Sequence, residues 1–178
     1  LLKGHKINLK LVEKCELPIL HPWFNDPDFN GEFESFGQVS LTELEKIYEN
    51  LKQEQWYWVE KTDGTKVGYI AQMKSGDSTC IGYLLLSEER GKGYGSEAVQ
   101  IMVDYLFLHK DIVRIQAETH PDNIASQRVL EKAGFMKEGL IRKSFFSRGI
   151  YRDTAMWSIL REEWVEPKIL PIGYTRKA

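Results

Sequence analysis

The sequence is poor in cysteine, in net charge and in long apolar runs, and each shortage removes a class of protein. Its two cysteines, Cys15 and Cys80, stand far apart and outside any Cys-x-x-Cys spacing. That argues against a disulfide framework or a zinc site and for a reducing, cytoplasmic setting. No metal is expected. No run of about 18 uninterrupted apolar residues is present, so no membrane partner is expected. The opening "LLKGHKINLKLVEKCEL" is broken by Lys3, Lys6, Lys10, Glu13 and Lys14, which leaves no secretory apolar core. It begins on leucine, which reads as a trimmed chain. A net charge of −2 supplies no overall field for nucleic acid, and no repeat or low-complexity segment is visible.

What is there suits one domain: 178 residues, 42% of them hydrophobic, with a core over about 5–165 and a tail over 166–178. Charge is unevenly placed. Residues 1–60 carry eleven acids against six lysines, whereas residues 90–152 carry eleven lysines and arginines against seven acids. Opposite fields suggest an anionic ligand near the second stretch and a cationic one near the first; the plainer alternative is uneven surface solubility.

Periodicity predicts the elements. "KINLKLV" (6–12) alternates as a half-buried strand. "HPWFNDPDFNGEF" (21–33) reads as turns pinned by aromatics. Ser40 and Glu43 form a capping box that opens a helix through about Leu51. Two strands flank the turn at Asp63-Gly64, and "TCIGYLLL" (79–86) is apolar enough for a strand buried on both faces. Ala98, Ile101, Met102, Tyr105 and Leu108 share one face of a helix ending near Lys110. A strand follows over 112–119, then a helix with Asp122 or Asn123 as N-cap and Gly134 as its stop. Two strands joined through Arg148-Gly149 close the order, and the tail is either a docked arm or loose. The expected fold is α/β (α+β): a mixed, mainly antiparallel sheet with a single parallel pair, flanked by helices.

The stretch "LLLSEERGKGYGSEAVQ" (84–100) places three glycines before a helix. It does not fit a nucleoside-triphosphate loop, because Gly91-Lys92 is followed by Gly93 and not by Ser or Thr. As a dinucleotide fingerprint it has Ser96 where the third glycine belongs, and four polar residues separate it from its strand. What remains is a set of backbone N–H groups at a helix N-terminus, with Arg90 and Lys92 beside them, suited to a phosphate-bearing ligand or only to a tight turn.

"RGKGYG" (90–95) resembles the pyrophosphate loop of the GNAT superfamily of acetyl-CoA-dependent N-acyltransferases, Gln/Arg-x-x-Gly-x-Gly/Ala. "HPDNIASQRVLEKAGF" (120–135) is similar to that superfamily's second motif. "WFNDP" and "RGIYRDTAMWSILREEW" resemble the branch containing ribosomal-protein N-terminal alanine and serine acetyltransferases. The resemblance implies a sheet whose fourth and fifth strands splay to admit acetyl-CoA, with the pantetheine arm paired to backbone near Leu84, Leu85 and Leu86. It further implies a pyrophosphate held through Arg90, Gly91, Lys92, Gly93, Tyr94, Gly95 and Ser96, a pantetheine contact at Asn123, and Ser126 facing the thioester sulfur. The tyrosine that many members carry seven residues after the motif's Asn is here Leu130, which leaves Ser126 as the proton donor expected for the leaving thiolate. The alternative for Ser126 is a helix serine bonded to a carbonyl one turn back.

Glu118 is the first candidate for the base that takes the amine's proton, its alternative being a surface salt bridge. His120, Tyr83 and Asp153 stand behind it. Cys80 reads as a small core residue, and Trp23, Phe24 and Phe29 as either an acceptor pocket or a plug on the core. The expected activity is direct acetyl transfer from acetyl-CoA to an amine, on a protein N-terminus or a small cation such as a polyamine or aminoglycoside, by a monomer or homodimer. The alternative of another class is a non-catalytic acyl-CoA sensor.

Overall fold

The computed structural model describes residues 1–51, 53–76 and 78–171. In chain order its elements are β1 (Leu2–Lys3), β2 (Ile7–Leu11), α1 (Leu17–Phe24), α2 (Pro27–Asn30), α3 (Leu41–Glu49), β3 (Gln55–Lys61), β4 (Lys66–Ser75), β5 (Ser78–Leu85), α4 (Tyr94–His109), β6 (Arg114–Thr119), α5 (Ile124–Ala133), β7 (Met136–Ser147) and β8 (Ile150–Leu160). The strands form one sheet in the order β1-β2-β3-β4-β5-β6-β8-β7. Every neighbouring pair is antiparallel except β5–β6. The mixed sheet expected from the element order is therefore the sheet found.

Alternation along the strands divides the side chains between two faces. Ile7, Leu9, Ile70, Ile81, Ile115 and Ala117 pack against α4 and α5, whereas Trp56, Trp58 and Ala71 pack against α1 and α3. Two buried carboxylates pin the ends of the chain to α4. Glu97 accepts from the N–H groups of His5 (2.5 Å), Lys6 (2.8 Å) and Ile7 (3.3 Å). Asp104 accepts from Trp164 Nε1 (3.1 Å) and from the N–H groups of Lys168, Ile169 and Leu170 at 2.7–3.1 Å. The tail is thus a docked arm as far as Pro171, and residues 172–178 lie outside the described residues.

Two expectations are corrected. The stretch 21–33 holds the end of α1 and all of α2 where turns were expected. Pro27 starts α2 at a first-turn position, as Pro18, just before the stretch, does for α1; neither position requires an N–H. Asp26 Oδ1 caps α2 by accepting from Asp28 N–H at 2.9 Å. Pro22 stands inside α1, where burial of Leu17 and Leu20 holds the short helix in place.

The second correction concerns β5, which is half-open and not buried on both faces; among its residues only Ile81 is buried. Its pairing with β6 explains this. The parallel ladder runs only through Thr79–Ile81 against Ile115–Ala117. Beyond it β6 continues against β8 and β5 against β4, so the two strands part and leave a gap along one edge of Gly82–Leu85.

Candidate active site

Three sets of groups border this gap: a backbone edge, a glycine loop and a pair of hydroxyls. The edge comes from β5. Leu86 N–H donates to Val67 C=O at 2.9 Å, toward β4. Since successive residues of a strand point their backbone groups to opposite edges, Leu84 also faces β4, while Tyr83 and Leu85 face the gap. Of the three leucines expected there, Leu85 alone lies on the gap edge, and Arg90 Nε already donates to its carbonyl at 3.1 Å.

The loop follows a 3-10 turn over Ser87–Glu89. Gly91 (φ 77°) and Gly93 (φ 89°) are left-handed, a conformation that a Cβ strongly disfavours. They turn the chain so that α4 starts at Tyr94, with Gly93 as its N-cap. Among the described residues, none of the six N–H groups from Gly91 to Ser96 donates to a protein acceptor. A helix start leaves four such donors; the glycines add the N–H groups preceding them and aim the set at one place, the arrangement that binds phosphate.

The loop's side chains divide the work. Arg90 is a strut: its Nη2 donates to the carbonyls of Asp28 (3.1 Å) and Phe29 (2.7 Å), tying the loop to α2. Lys92 is half-exposed and pairs with Glu89 at 2.8 Å, and Glu89 in turn pairs with Lys61 at 2.7 Å. Lys6, which the sequence reading did not single out, brings its Nζ to 3.4 Å from where a Cβ would stand at Gly93. No spacing in the sequence signals this approach, because it follows from the seating of the β1–β2 turn on Glu97.

The hydroxyl pair is Tyr83 and Ser126, whose oxygens are 3.0 Å apart. Ser126 is placed by Asn123, which caps α5 with its Oδ1 accepting from Ser126 N–H at 3.0 Å. Leu130 is wholly buried beneath α5. Burial pushes the Tyr83 phenol up to about 12, the hydrogen bond with Ser126 partly opposing the shift and Glu34 adding to it. Tyr83 from β5 thus brings a second hydroxyl to Ser126.

The remaining candidates separate. Glu118 is exposed, one residue past the last rung of the parallel ladder. Its buried neighbours Ala117 and Thr119 point to the α4–α5 side, so Glu118 faces the opposite side, that of α1 and α3. Cys80 shares that face; burial first, then the charge of Glu118, pushes its thiol up to about 11 and keeps it protonated. His120 is occupied: its Nδ1 accepts from Asp122 N–H at 3.1 Å, and its Nε2 lies 3.4 Å from Arg152. Asp153 accepts from Lys143 N–H at 2.8 Å, which secures the left-handed Lys143 (φ 49°) at a bulge in β7. Phe29 is buried; Trp23, Phe24 and Phe29 make ring contacts at 5.3–6.2 Å with Trp56, Trp58 and Tyr69, and so cover the core on the α1 side. Among the described residues, no group of three or more His, Cys, Asp or Glu is placed to hold a metal ion.

Comparison with known proteins places this geometry. Residues 6–136 match the family model described as "Acetyltransferase (GNAT) domain". A Bacillus subtilis (strain 168) protein named "Probable N-acetyltransferase YjcK" is 45% identical over 83 residues, which cover 47% of this chain and 46% of that protein. The matched stretch thus spans about half the length of such curated relatives. Two solved structures share the fold at a TM-score of 0.80. One is the Vibrio cholerae spermidine N-acetyltransferase in complex with CoA and spermine, 22% identical, covering 90% of this chain and 99% of that one. The other is the ribosomal L7/L12 alpha-N-protein acetyltransferase RimL in complex with CoA, 19% identical, covering 89% and 97%.

Proposed function

The chain belongs to the GNAT acetyltransferase family, and from that premise we propose that it transfers the acetyl group of acetyl-CoA directly to the amine of a cationic acceptor. One observation carries the reading: six unpartnered N–H groups, Gly91 to Ser96, stand at one end of a gap that has the Tyr83–Ser126 hydroxyls on its α5 side. The loop suits the pyrophosphate of the donor, with Lys92 and Lys6 adding positive charge, and the gap edge of β5 suits its pantetheine arm. The donor supplies a thioester. The chain supplies position and hydrogen bonds.

In the transfer the amine nitrogen bonds to the acyl carbon, the carbon–sulfur bond breaks, and the amine gives up a proton while the sulfur leaves as thiolate. Ser126 serves the leaving sulfur. Either hydroxyl can donate in this pair; where Tyr83 donates to Ser126 Oγ, the serine's own proton is free to point at the sulfur. A phenol at about 12 does not surrender its proton readily to a thiolate of pKa about 8.5, so the pair stabilises the thiolate chiefly by hydrogen bonding. Glu118, on the opposite face, takes the amine's proton. The acceptor then approaches from the α1–α3 side while the donor enters over α4 and α5, in keeping with the acidic residues 1–60 and the basic residues 90–152. The relatives' names cover both a polyamine and a protein α-amine as acceptors.

Calorimetric titration with acetyl-CoA, followed by thiol release with spermidine, peptides beginning in Ser or Ala, and an aminoglycoside, tests the proposal. Binding followed by release with at least one amine is expected. No binding of acetyl-CoA would overturn it. Binding with silence across the amines would identify instead a non-catalytic acyl-CoA sensor.

A further inference from the structure

Around the glycine loop, basic side chains gather on the side away from the gap. In the sheet order β2, β3 and β4 lie to one side of β5, and β6 lies to the other. Lys6, at the turn into β2, brings its Nζ to 3.4 Å from where a Cβ would stand on Gly93. Lys61 ends β3, paired across the sheet with Ile7. Its Nζ stands 5.9 Å from the centre of the Tyr94 ring, at the first residue of α4. Lys92 belongs to the loop itself.

These ammoniums share a single carboxylate. Glu89 pairs with Lys61 at 2.7 Å and with Lys92 at 2.8 Å, its side chain only 13% exposed. Its neighbour Glu88 is exposed and accepts from Ser87 Oγ at 3.2 Å. Among the described residues, Lys6 joins no ion pair. Its backbone is nonetheless fixed, because Glu97 Oε1 accepts from its own N–H and from those of His5 and Ile7. A Cβ on Gly4 would collide with that oxygen and with Ile7 C=O, so the turn closes on glycine there. The ammonium of Lys6 thus reaches the loop without meeting an anion of the protein.

The charges of the donor indicate what it meets. The N–H groups at the start of α4 suit the pyrophosphate, but acetyl-CoA also carries a monoester phosphate on its ribose. Such a phosphate bears about −1.5 to −2 charges at pH 7 and three acceptor oxygens. Compact ammonium charges suit it. With the pantetheine arm running from the loop into the gap, the nucleotide end has the other side of the loop, where the lysines stand. We propose that Lys6, with Lys61 and Lys92 beside it, forms a second phosphate subsite that receives the ribose phosphate and makes the site selective for the phosphorylated carrier. Lys6 contributes most, since the other two are shared with Glu89. The proposal rests on acetyl-CoA as the donor.

Calorimetric titration of CoA and of dephospho-CoA, which lacks only the ribose phosphate, into the unmodified chain, Lys6→Gln and Lys3→Gln tests it. The unmodified chain is expected to bind CoA about tenfold or more tightly than dephospho-CoA, the scale of a charge-assisted contact. Lys6→Gln should weaken CoA about tenfold and leave dephospho-CoA within about threefold, so that the preference nearly disappears. Lys3→Gln removes the same charge from β1 and should leave both affinities within about twofold. Equal binding of the two ligands by the unmodified chain overturns the subsite while leaving the donor reading intact. Equal weakening of both by Lys6→Gln overturns it too and assigns Lys6 to the pyrophosphate. Binding of neither ligand by the unmodified chain overturns the donor reading and the subsite with it.

Discussion

At the scale of single residues, the Tyr83–Ser126 contact changes what each hydroxyl is expected to do. Ser126 is held from both sides, by the Asn123 cap through its N–H and by Tyr83 through its Oγ. Its hydroxyl is therefore partnered by Tyr83 and not by the carbonyl one turn back. Ser126→Ala should lower kcat for thiol release by about tenfold to a hundredfold, the low end of general-acid effects, because the thiolate is already an acceptable leaving group near neutral pH. Tyr83→Phe should fall in the same range, and the double variant should lose little more than either single one, since the two act as a unit. Acetyl-CoA affinity, followed by calorimetry, should stay within about threefold in all three. Additive losses would show that the hydroxyls act separately. The placing of Ser126 beside the Asn123 cap was legible in the sequence, because the two lie three residues apart in a recognisable motif. Tyr83 was named from the sequence only as a reserve candidate for the base; its contact with Ser126 was not legible, because the partner is 43 positions away and no spacing signals it.

At the scale of elements, the glycine loop and the strand before it illustrate where sequence patterns hold and where they fail. Glycine spacing followed by an amphipathic pattern put a helix just past the glycines; α4 begins at Tyr94, with Gly95 inside it, close to that reading because backbone conformation at Gly91 and Gly93 is a local matter. The apolar run 79–86 misled, because hydrophobicity does not distinguish a strand buried between neighbours from one lining a gap. The turn-rich reading of 21–33 failed for a related reason: proline and asparagine start short helices as readily as they end them, and the buried Leu17 and Leu20 lie just before the stretch. Gly93→Ala tests the loop. A left-handed alanine costs about 1–2 kcal/mol, and relief of that strain should rotate the Lys92–Tyr94 N–H groups away from their common target. Acetyl-CoA affinity measured by calorimetry should fall about tenfold or more, on the scale of one such strain penalty. The same substitution at Gly64, also left-handed (φ 87°) but in the turn between β3 and β4, should lower thermal stability without touching affinity.

At the scale of the molecule, the acidic N-terminal stretch bears on stability as well as on recognition. Glu16 is the clearest case, since one carboxylate ties three elements together. It accepts from Glu13 N–H (3.1 Å), Trp58 Nε1 (2.9 Å) and Lys10 Nζ (3.2 Å), with Lys66 Nζ at 3.4 Å. Burial alone would raise its pKa; the hydrogen bonds and the Lys10 charge outweigh burial and bring the carboxyl from 4.5 down to about 2. A carboxyl lowered by folding adds stability that is fully present above its unfolded value, near 4.5, and is lost as the pH falls through about 2. Glu16→Gln should therefore cost on the order of 2 kcal/mol at pH 7, a figure discounted for partial exposure. The difference in Tm between the unmodified chain and the variant, followed by circular dichroism from pH 7 to pH 2, should be steady down to about pH 5 and then shrink. Glu138 is also held down to about 2, by Arg114 and then Ser158, but its side chain is 40% exposed. Its share should therefore weaken in 1 M salt, where surface pairs are screened within about 3 Å. A Tm difference for Glu16→Gln that vanished in 1 M salt would place Glu16 with such surface pairs; one that persisted would mark its hydrogen bonds to Trp58 and Glu13 as the contacts that seat the first helix on the sheet.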